Sequence, residues 1–152
     1  MSDVEQQLQL GKPTRYQDSY DPALLCPFPR QVKRDEIGLG AVLPFAGVDL
    51  WTAYELSWLN LKGKPMVAVG AFSFPCHSPF LIESKSFKLY LNSFNQTRYP
   101  DMAAVAGQMQ ADLSRVSGGK VKVELFDLES AGRLLVGRLP GDCIDDLDVE
   151  VT

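Results

Sequence analysis

The chain is predicted to fold as an α+β protein, an antiparallel sheet covered on one face by two helices. Three features point there. Two consecutive stretches, 48–60 and 66–74, are rich in β-branched and aromatic residues and are joined by a short Gly/Pro turn. Two apolar stripes at helical spacing follow, over 87–94 and 102–116. Another alternating stretch comes after them, at 120–128.

Taken in order, residues 1–40 are expected to form an irregular arm. Gly11-Lys12-Pro13, Asp21-Pro22 and Pro27-Phe28-Pro29 punctuate it, and each Pro fixes φ and removes a backbone donor. Residues 41–152 are expected to form a single module. In Val48–Asn60, Leu50, Thr52, Tyr54, Leu56 and Trp58 recur at period two, which predicts one strand with these residues on one face. Leu61–Pro65 is the turn, and Met66–Phe74 the returning strand of a hairpin. Pro75-Cys76-His77-Ser78-Pro79 breaks that strand, and Phe80-Leu81-Ile82 leads into a helix for which Ser84 is the expected N-cap.

Phe87, Tyr90, Leu91 and Phe94 give that helix one apolar stripe. Pro100 suits the start of the next helix, whose stripe is Met102, Val105, Met109, Leu113 and Val116 and whose stop is Gly118-Gly119. Lys120–Leu128 is a third strand, Leu134-Leu135-Val136 a short fourth, and the alternating tail Ile144–Thr152 a last one. The predicted order is strand, strand, helix, helix, strand, strand. The uncovered face and open edges of such a sheet are expected to drive assembly with other copies or domains.

Composition narrows the function. The chain has 152 residues, 45% hydrophobic and 22% charged, which fits one ordinary globular domain. A net charge of −4 gives no global field for nucleic acid, so no direct nucleic-acid partner is expected. No apolar run of about 18 residues exists to cross a membrane, and the N-terminus lacks the pattern of a secretory signal. Cys26, Cys76 and Cys143 are an odd set at unrelated spacings, which fits a reducing, cytoplasmic setting better than a disulfide framework. With His77 the only histidine, a protein-built metal site is not expected. Adjacent Cys76 and His77 point opposite ways in extended chain, so they make a poor nucleophile–base pair. Asp145, Asp146 and Asp148 lack the Gly and terminal Glu of a calcium loop and read as a solvated acidic edge.

The most informative stretch is Glu83-Ser84-Lys85-Ser86-Phe87-Lys88-Leu89-Tyr90-Leu91. An apolar lead-in places Glu83 where a buried strand meets a helix start. A carboxylate buried there needs partners. The first N–H groups of the helix are one choice and the N–H edge of a bound heterocycle is another. The lysines and the helix N-terminus suit an anionic cofactor. An ordinary helix start with solvated lysines is the plain alternative.

This motif and its continuation, Leu91-Asn92-Ser93-Phe94-Asn95-Gln96-Thr97-Arg98, resemble the signature of the NADPH-dependent 7-cyano-7-deazaguanine reductases, the nitrile reductases of queuosine biosynthesis. The similarity is to the N-terminal module of the long, two-module type. Leu10-Gly11-Lys12-Pro13 with Tyr16 and Tyr20-Asp21, Trp51-Thr52 with Tyr54-Glu55-Leu56-Ser57-Trp58-Leu59-Asn60, Val67-Ala68-Val69-Gly70 and Cys143-Ile144-Asp145-Asp146 extend it along the chain.

The resemblance implies the tunnelling fold, whose units assemble into barrel-like homo-oligomers. It also implies substrate contacts from Ile82, Glu83 and Ser84, and NADPH contacts from Ser84 and Lys85. The family's chemistry uses a Cys nucleophile and an Asp proton donor, with hydride from two NADPH converting the nitrile to an aminomethyl group. In short members the Cys and Asp lie between the first two strands, yet Tyr54–Pro65 here contains neither. The resemblance therefore implies no catalytic residue in this chain, a C-terminal catalytic module as partner, and no turnover without it. Two rival readings are a binding or assembly module without chemistry and a different tunnelling-fold enzyme.

Overall fold

The computed structural model describes residues 19–40, 42–131 and 141–142. A 3-10 turn at Pro22–Leu24 leads to β1 (Pro27–Pro29) and α1 (Arg30–Glu36). The long strands β2 (Val48–Leu59) and β3 (Pro65–Pro75) follow, then β4 (Phe80–Ile82), α2 (Ser84–Asn92), α3 (Met102–Ser117), β5 (Lys122–Phe126) and α4 (Leu128–Ala131). All pairings are antiparallel, in a three-stranded sheet ordered β2-β3-β5 and a small ribbon of β1 with β4. The expected segment 134–136, the C-terminal strand 144–152 and Cys143 lie outside the described residues.

The α+β class, the hairpin, both helices and the strand after them agree with the sequence. The third strand is shorter than expected and is followed by α4. Apolar faces drive the packing. Phe87, Tyr90 and Phe94 after and within α2, and Val105, Met109 and Leu113 of α3, share one core with Leu56, Trp58, Phe72, Phe74 and Val123 of the sheet. Phe87 is its hub: its ring meets Trp51, Phe72 and Phe74 edge-on at centroid distances of 5.8, 5.1 and 6.2 Å. Asp101 caps α3 through the Ala104 N–H at 2.7 Å, so the helix begins at Met102, two residues after Pro100. Gly118 ends α3 at φ 70°, where a Cβ would lie 2.6 Å from Pro79 Cγ.

Three expectations need correcting. The arm is not irregular throughout. Asp21 caps its 3-10 turn by accepting the Ala23 N–H at 2.8 Å, β1 pairs with β4, and Leu25 enters the core. Arg30 opens α1 by donating Nε to the buried Ser78 hydroxyl at 3.1 Å and pairing with Asp49. The second correction concerns β2. Leu50 and Tyr54 are 74% and 71% exposed, whereas Leu56 and Trp58 are 2% and 3% exposed, so the even-numbered residues do not share a face. Ala53 pairs with Gly70 and Leu56 with Ala68, so Tyr54 and Glu55 together oppose Val69. This β-bulge shifts the alternation by one residue and moves the inward face from odd to even positions. Thirdly, the helix cap is Glu83 and not Ser84, for reasons given below.

Gly70 sits beside the bulge because nothing larger fits. A Cβ there would lie 2.6 Å from Leu56 Cδ1, 2.9 Å from Phe72 Cε2 and 3.1 Å from Leu125 Cδ2. Gly70→Ala is expected to destabilise the fold by about 2 kcal/mol through overpacking, read as a lower urea midpoint at unchanged m-value. An unchanged midpoint would show that the bulge absorbs the methyl group.

Candidate functional site

The corner predicted from sequence is built by two elements converging on Glu83. The β1–β4 ribbon delivers the chain with Ile82 buried in the core, and one further rung continues past it: the Glu83 N–H donates to the Cys26 carbonyl at 2.9 Å. Glu83 then turns to cap α2. One carboxylate oxygen accepts the Lys85 N–H at 2.9 Å and the other accepts the Ser86 N–H at 2.7 Å. Ser84 is the expected cap by residue type, but it is exposed, whereas its neighbour Glu83 is 8% exposed. A buried anion needs donors more than an exposed hydroxyl needs an acceptor, so Glu83 takes the free N–H groups and the favourable end of the helix dipole. Ser86, fully buried, ties the corner to the arm. Its hydroxyl donates to the Glu83 carbonyl at 2.7 Å and accepts the Cys26 N–H at 3.1 Å.

Beside this corner runs a groove of about 520 Å³. One wall is Trp51–Glu55 of β2, including the bulge; the other is Ser84, Phe87, Lys88, Leu91 and Asn92 of α2. Its base is apolar (Trp51, Phe87, Leu91), and Glu55, Ser84, Lys88 and Asn92 supply carboxylate, hydroxyl, ammonium and amide. An apolar base with a few polar groups on the rim suits a planar heteroaromatic ligand with polar substituents.

Of the four residues singled out from sequence, Ser84 lines this groove. Ile82 belongs to the core, Glu83 is the buried cap that precedes Ser84, and neither it nor the half-buried Lys85 lines the groove. Lys88, one turn further on, is the cation on the groove wall. Sequence reasoning missed Glu55, Tyr54 and Asn92. Only the fold reveals the bulge: Trp51 and Trp58 are an odd number of residues apart, yet both pack against the core.

A second polar centre went unread. Asp112, on the inward face of α3 and 6% exposed, accepts the Tyr20 hydroxyl at 2.6 Å and the Tyr90 hydroxyl at 2.8 Å on the same oxygen. Gln108 donates to that oxygen at 3.2 Å and to Tyr20 Oη at 2.8 Å, and Arg115 faces the other oxygen at 3.6 Å. Burial first, then the hydrogen bond and charge of Asp112, push both phenols well above the ordinary tyrosine range. Tyr99 is raised as well, by burial and then by Asp112. Further contacts pin the arm here: the Tyr20 N–H donates to Thr97 Oγ1 at 3.0 Å and the Asp21 N–H to the buried Ser93 Oγ at 3.2 Å. Among the described residues no group of three His, Cys, Asp or Glu could hold a metal ion, and no helix is long and apolar enough to cross a membrane.

Comparison with known proteins bears directly on this corner. The family described as nitrile reductase, 7-cyano-7-deazaguanine-reductase N-term, matches residues 16–125, which include the arm contacts, the bulge and the whole Glu83 motif. A protein of Chromobacterium violaceum named NADPH-dependent 7-cyano-7-deazaguanine reductase is 54% identical over 143 residues, covering 93% of this chain and 51% of that protein. Proteins with the same name from Cupriavidus necator and Dechloromonas aromatica are each 55% identical, over 93% and 92% of this chain and 52% and 50% of theirs. The chain thus spans about half the length of the curated relatives it matches. With the family's profile extending over most of its residues, this chain belongs to the family of N-terminal regions of 7-cyano-7-deazaguanine reductases.

Proposed function

We propose that this chain is the ligand-binding N-terminal module, in the tunnelling fold, of a cytoplasmic NADPH-dependent reductase that converts the nitrile of 7-cyano-7-deazaguanine to an aminomethyl group, a step toward queuosine in tRNA. The observation that carries the reading is Glu83, a buried carboxylate one residue before the groove-lining Ser84, within a chain of this family. Each of its oxygens has one helical N–H and keeps a second lone pair. A guanine-like edge presents adjacent N–H donors that match such a pair. Ile82 would wall the base, and Ser84 would contact both base and cofactor from the groove wall.

The groove suits part of a dinucleotide: it holds about 520 Å³, is apolar at its base and carries Lys88, with Lys85 on the adjoining turn. Lys85 is assigned to the cofactor's phosphates. NADPH, when bound, supplies the hydride. This chain's own residues bind, orient and exclude water. The reactive Cys and Asp are assigned to a second module, packed where β2 is open. Val48, Leu50 and Tyr54, 55%, 74% and 71% exposed, make the apolar outer face expected of a surface that meets another module or copy.

That outer face also favours a second reading, a module that only assembles. Titrating the purified chain with 7-cyano-7-deazaguanine and with NADPH separates the two. The first reading expects saturable binding of at least one ligand and no NADPH oxidation. Turnover by the chain alone would overturn the assignment of the thiolate to a second module. A folded chain that binds neither ligand would leave the assembly reading standing.

A further inference from the structure

The turn between β2 and β3 is held more rigidly than a hairpin connection requires. Asn60 Oδ1 accepts the N–H groups of Lys62 and Lys64 at 2.9 and 3.0 Å. The Asn60 N–H donates to the Lys64 carbonyl and the Gly63 N–H to the Asn60 carbonyl, both at 2.9 Å. Leu59, just before, is gripped from the segment after α2: its N–H donates to the Thr97 carbonyl at 3.0 Å and its carbonyl accepts the Tyr99 N–H at 2.9 Å. Arg98 lies between those two anchors and donates Nη1 to the Leu61 carbonyl at 3.2 Å. Its guanidinium rests over Gly63, where a Cβ would come within 3.3 Å of Nη2 and where φ is +84°. A glycine here serves the turn and the close approach together.

The result is a fixed cationic tip. Lys62, Lys64 and Arg98 are all exposed. The ion pairs of the described residues (Arg30–Asp49, Lys33–Glu36, Arg115–Asp112 and Lys122–Glu124) involve none of them. In a chain of net charge −4, two lysines of this turn and the guanidinium of Arg98 from the segment after α2 come together. A run of lysines on a loose loop would be a solvated face. Here the backbone between the lysines is pinned and the guanidinium plane is set by its bond to Leu61, so the ordering cost of binding is largely met by folding. One oriented fork flanked by two point charges suits a tetrahedral, multiply charged anion.

We propose that this tip, Lys62, Lys64 and Arg98, is a binding site for the phosphate group of a small phosphorylated ligand, separate from the groove. None of the three cations lines the groove, whose walls are Trp51–Glu55 of β2 and residues of α2 from Ser84 to Asn92. The proposal does not depend on the reductase reading, since it uses none of the groove residues.

The test is an NMR titration of the isotope-labelled chain with inorganic phosphate and inorganic pyrophosphate at low ionic strength. Saturable shifts are expected at the Gly63 and Lys64 amides, tighter for pyrophosphate and weakened by added salt. Lys62→Gln with Lys64→Gln should weaken binding about tenfold or more without lowering the melting temperature, because those lysines hold the turn through backbone N–H groups. Arg98→Gln should weaken it further, and Lys122→Gln, on β5, should leave it unchanged. No saturable shift, or equal affinity in the double variant, overturns the proposal. So does binding of a single-stranded RNA oligonucleotide without binding of pyrophosphate, which would make the tip a backbone-tracking surface.

Discussion

Glu83→Ala is expected to weaken binding of 7-cyano-7-deazaguanine by about 100-fold, the loss of a charged hydrogen-bonded pair, and to lower stability by about 1–2 kcal/mol, the loss of a helix cap. The two effects have separate origins. Stability falls because the Lys85 and Ser86 N–H groups lose the carboxylate that accepts them at 2.9 and 2.7 Å. Affinity falls because the second lone pairs of those oxygens are the acceptors assigned to the base. Glu83→Gln separates the roles. An amide oxygen still accepts one helical N–H, so much of the cap survives. Its NH₂ opposes one donor of the base, so affinity should stay near that of the alanine variant. Urea unfolding reads the cap, and calorimetric titration with the base reads the site. If glutamine and alanine variants both bind like the parent chain, Glu83 is a cap and nothing more.

How far this corner could be read from sequence depends on what each signal encodes. Periodicity encodes which face of a regular element is apolar, so the hairpin, the stripe of Phe87, Tyr90, Leu91 and Phe94, and the stripe of α3 were legible. It cannot encode a shift of register within a strand. The bulge at Tyr54–Glu55 is set by pairing with Val69, which is distant in sequence, and it is the bulge that brings Glu55 and Tyr54 to the groove. The cap was placed one residue late because Ser is the commoner capping type, while burial, a tertiary property, decided for Glu83. The short ribbon of β1 with β4 was invisible for the same reason: Pro27-Phe28-Pro29 reads as a breaker, and only its partner Phe80–Ile82 makes it a strand. Asp112 was more accessible to reasoning. It lies three residues after Met109 and one before Leu113, within the inward arc of α3, and a carboxylate on that arc has to be met by donors.

Those donors make the chain sensitive to alkali. Tyr20 and Tyr90 carry pKa values raised in the folded state, by burial first and by Asp112 second, above the ordinary value of 10.0 that the unfolded chain restores. The folded chain therefore keeps protons that the unfolded chain gives up as pH passes about 10. The unfolded state then binds fewer protons, and stability falls with rising pH. Below pH 10 both states hold the protons and the contribution is fully present. Urea midpoints measured from pH 8 to pH 11.5 should be flat and then drop steeply, and Tyr90→Phe should flatten the drop. Asp112→Asn removes the charge while leaving an acceptor and the burial. It should shrink the drop without abolishing it. Asp112→Ala at neutral pH should cost about 3 kcal/mol, because it leaves the buried Tyr90 hydroxyl and the half-buried Tyr20 hydroxyl without their acceptor. The arm should loosen in the same variant, since Tyr20 is one of its anchors. Faster proteolysis near Asp21–Cys26 would register that loosening. A profile for Asp112→Asn that superimposes on the parent's would show that burial alone holds the phenols protonated and that the carboxylate at the centre of this network does not tune them.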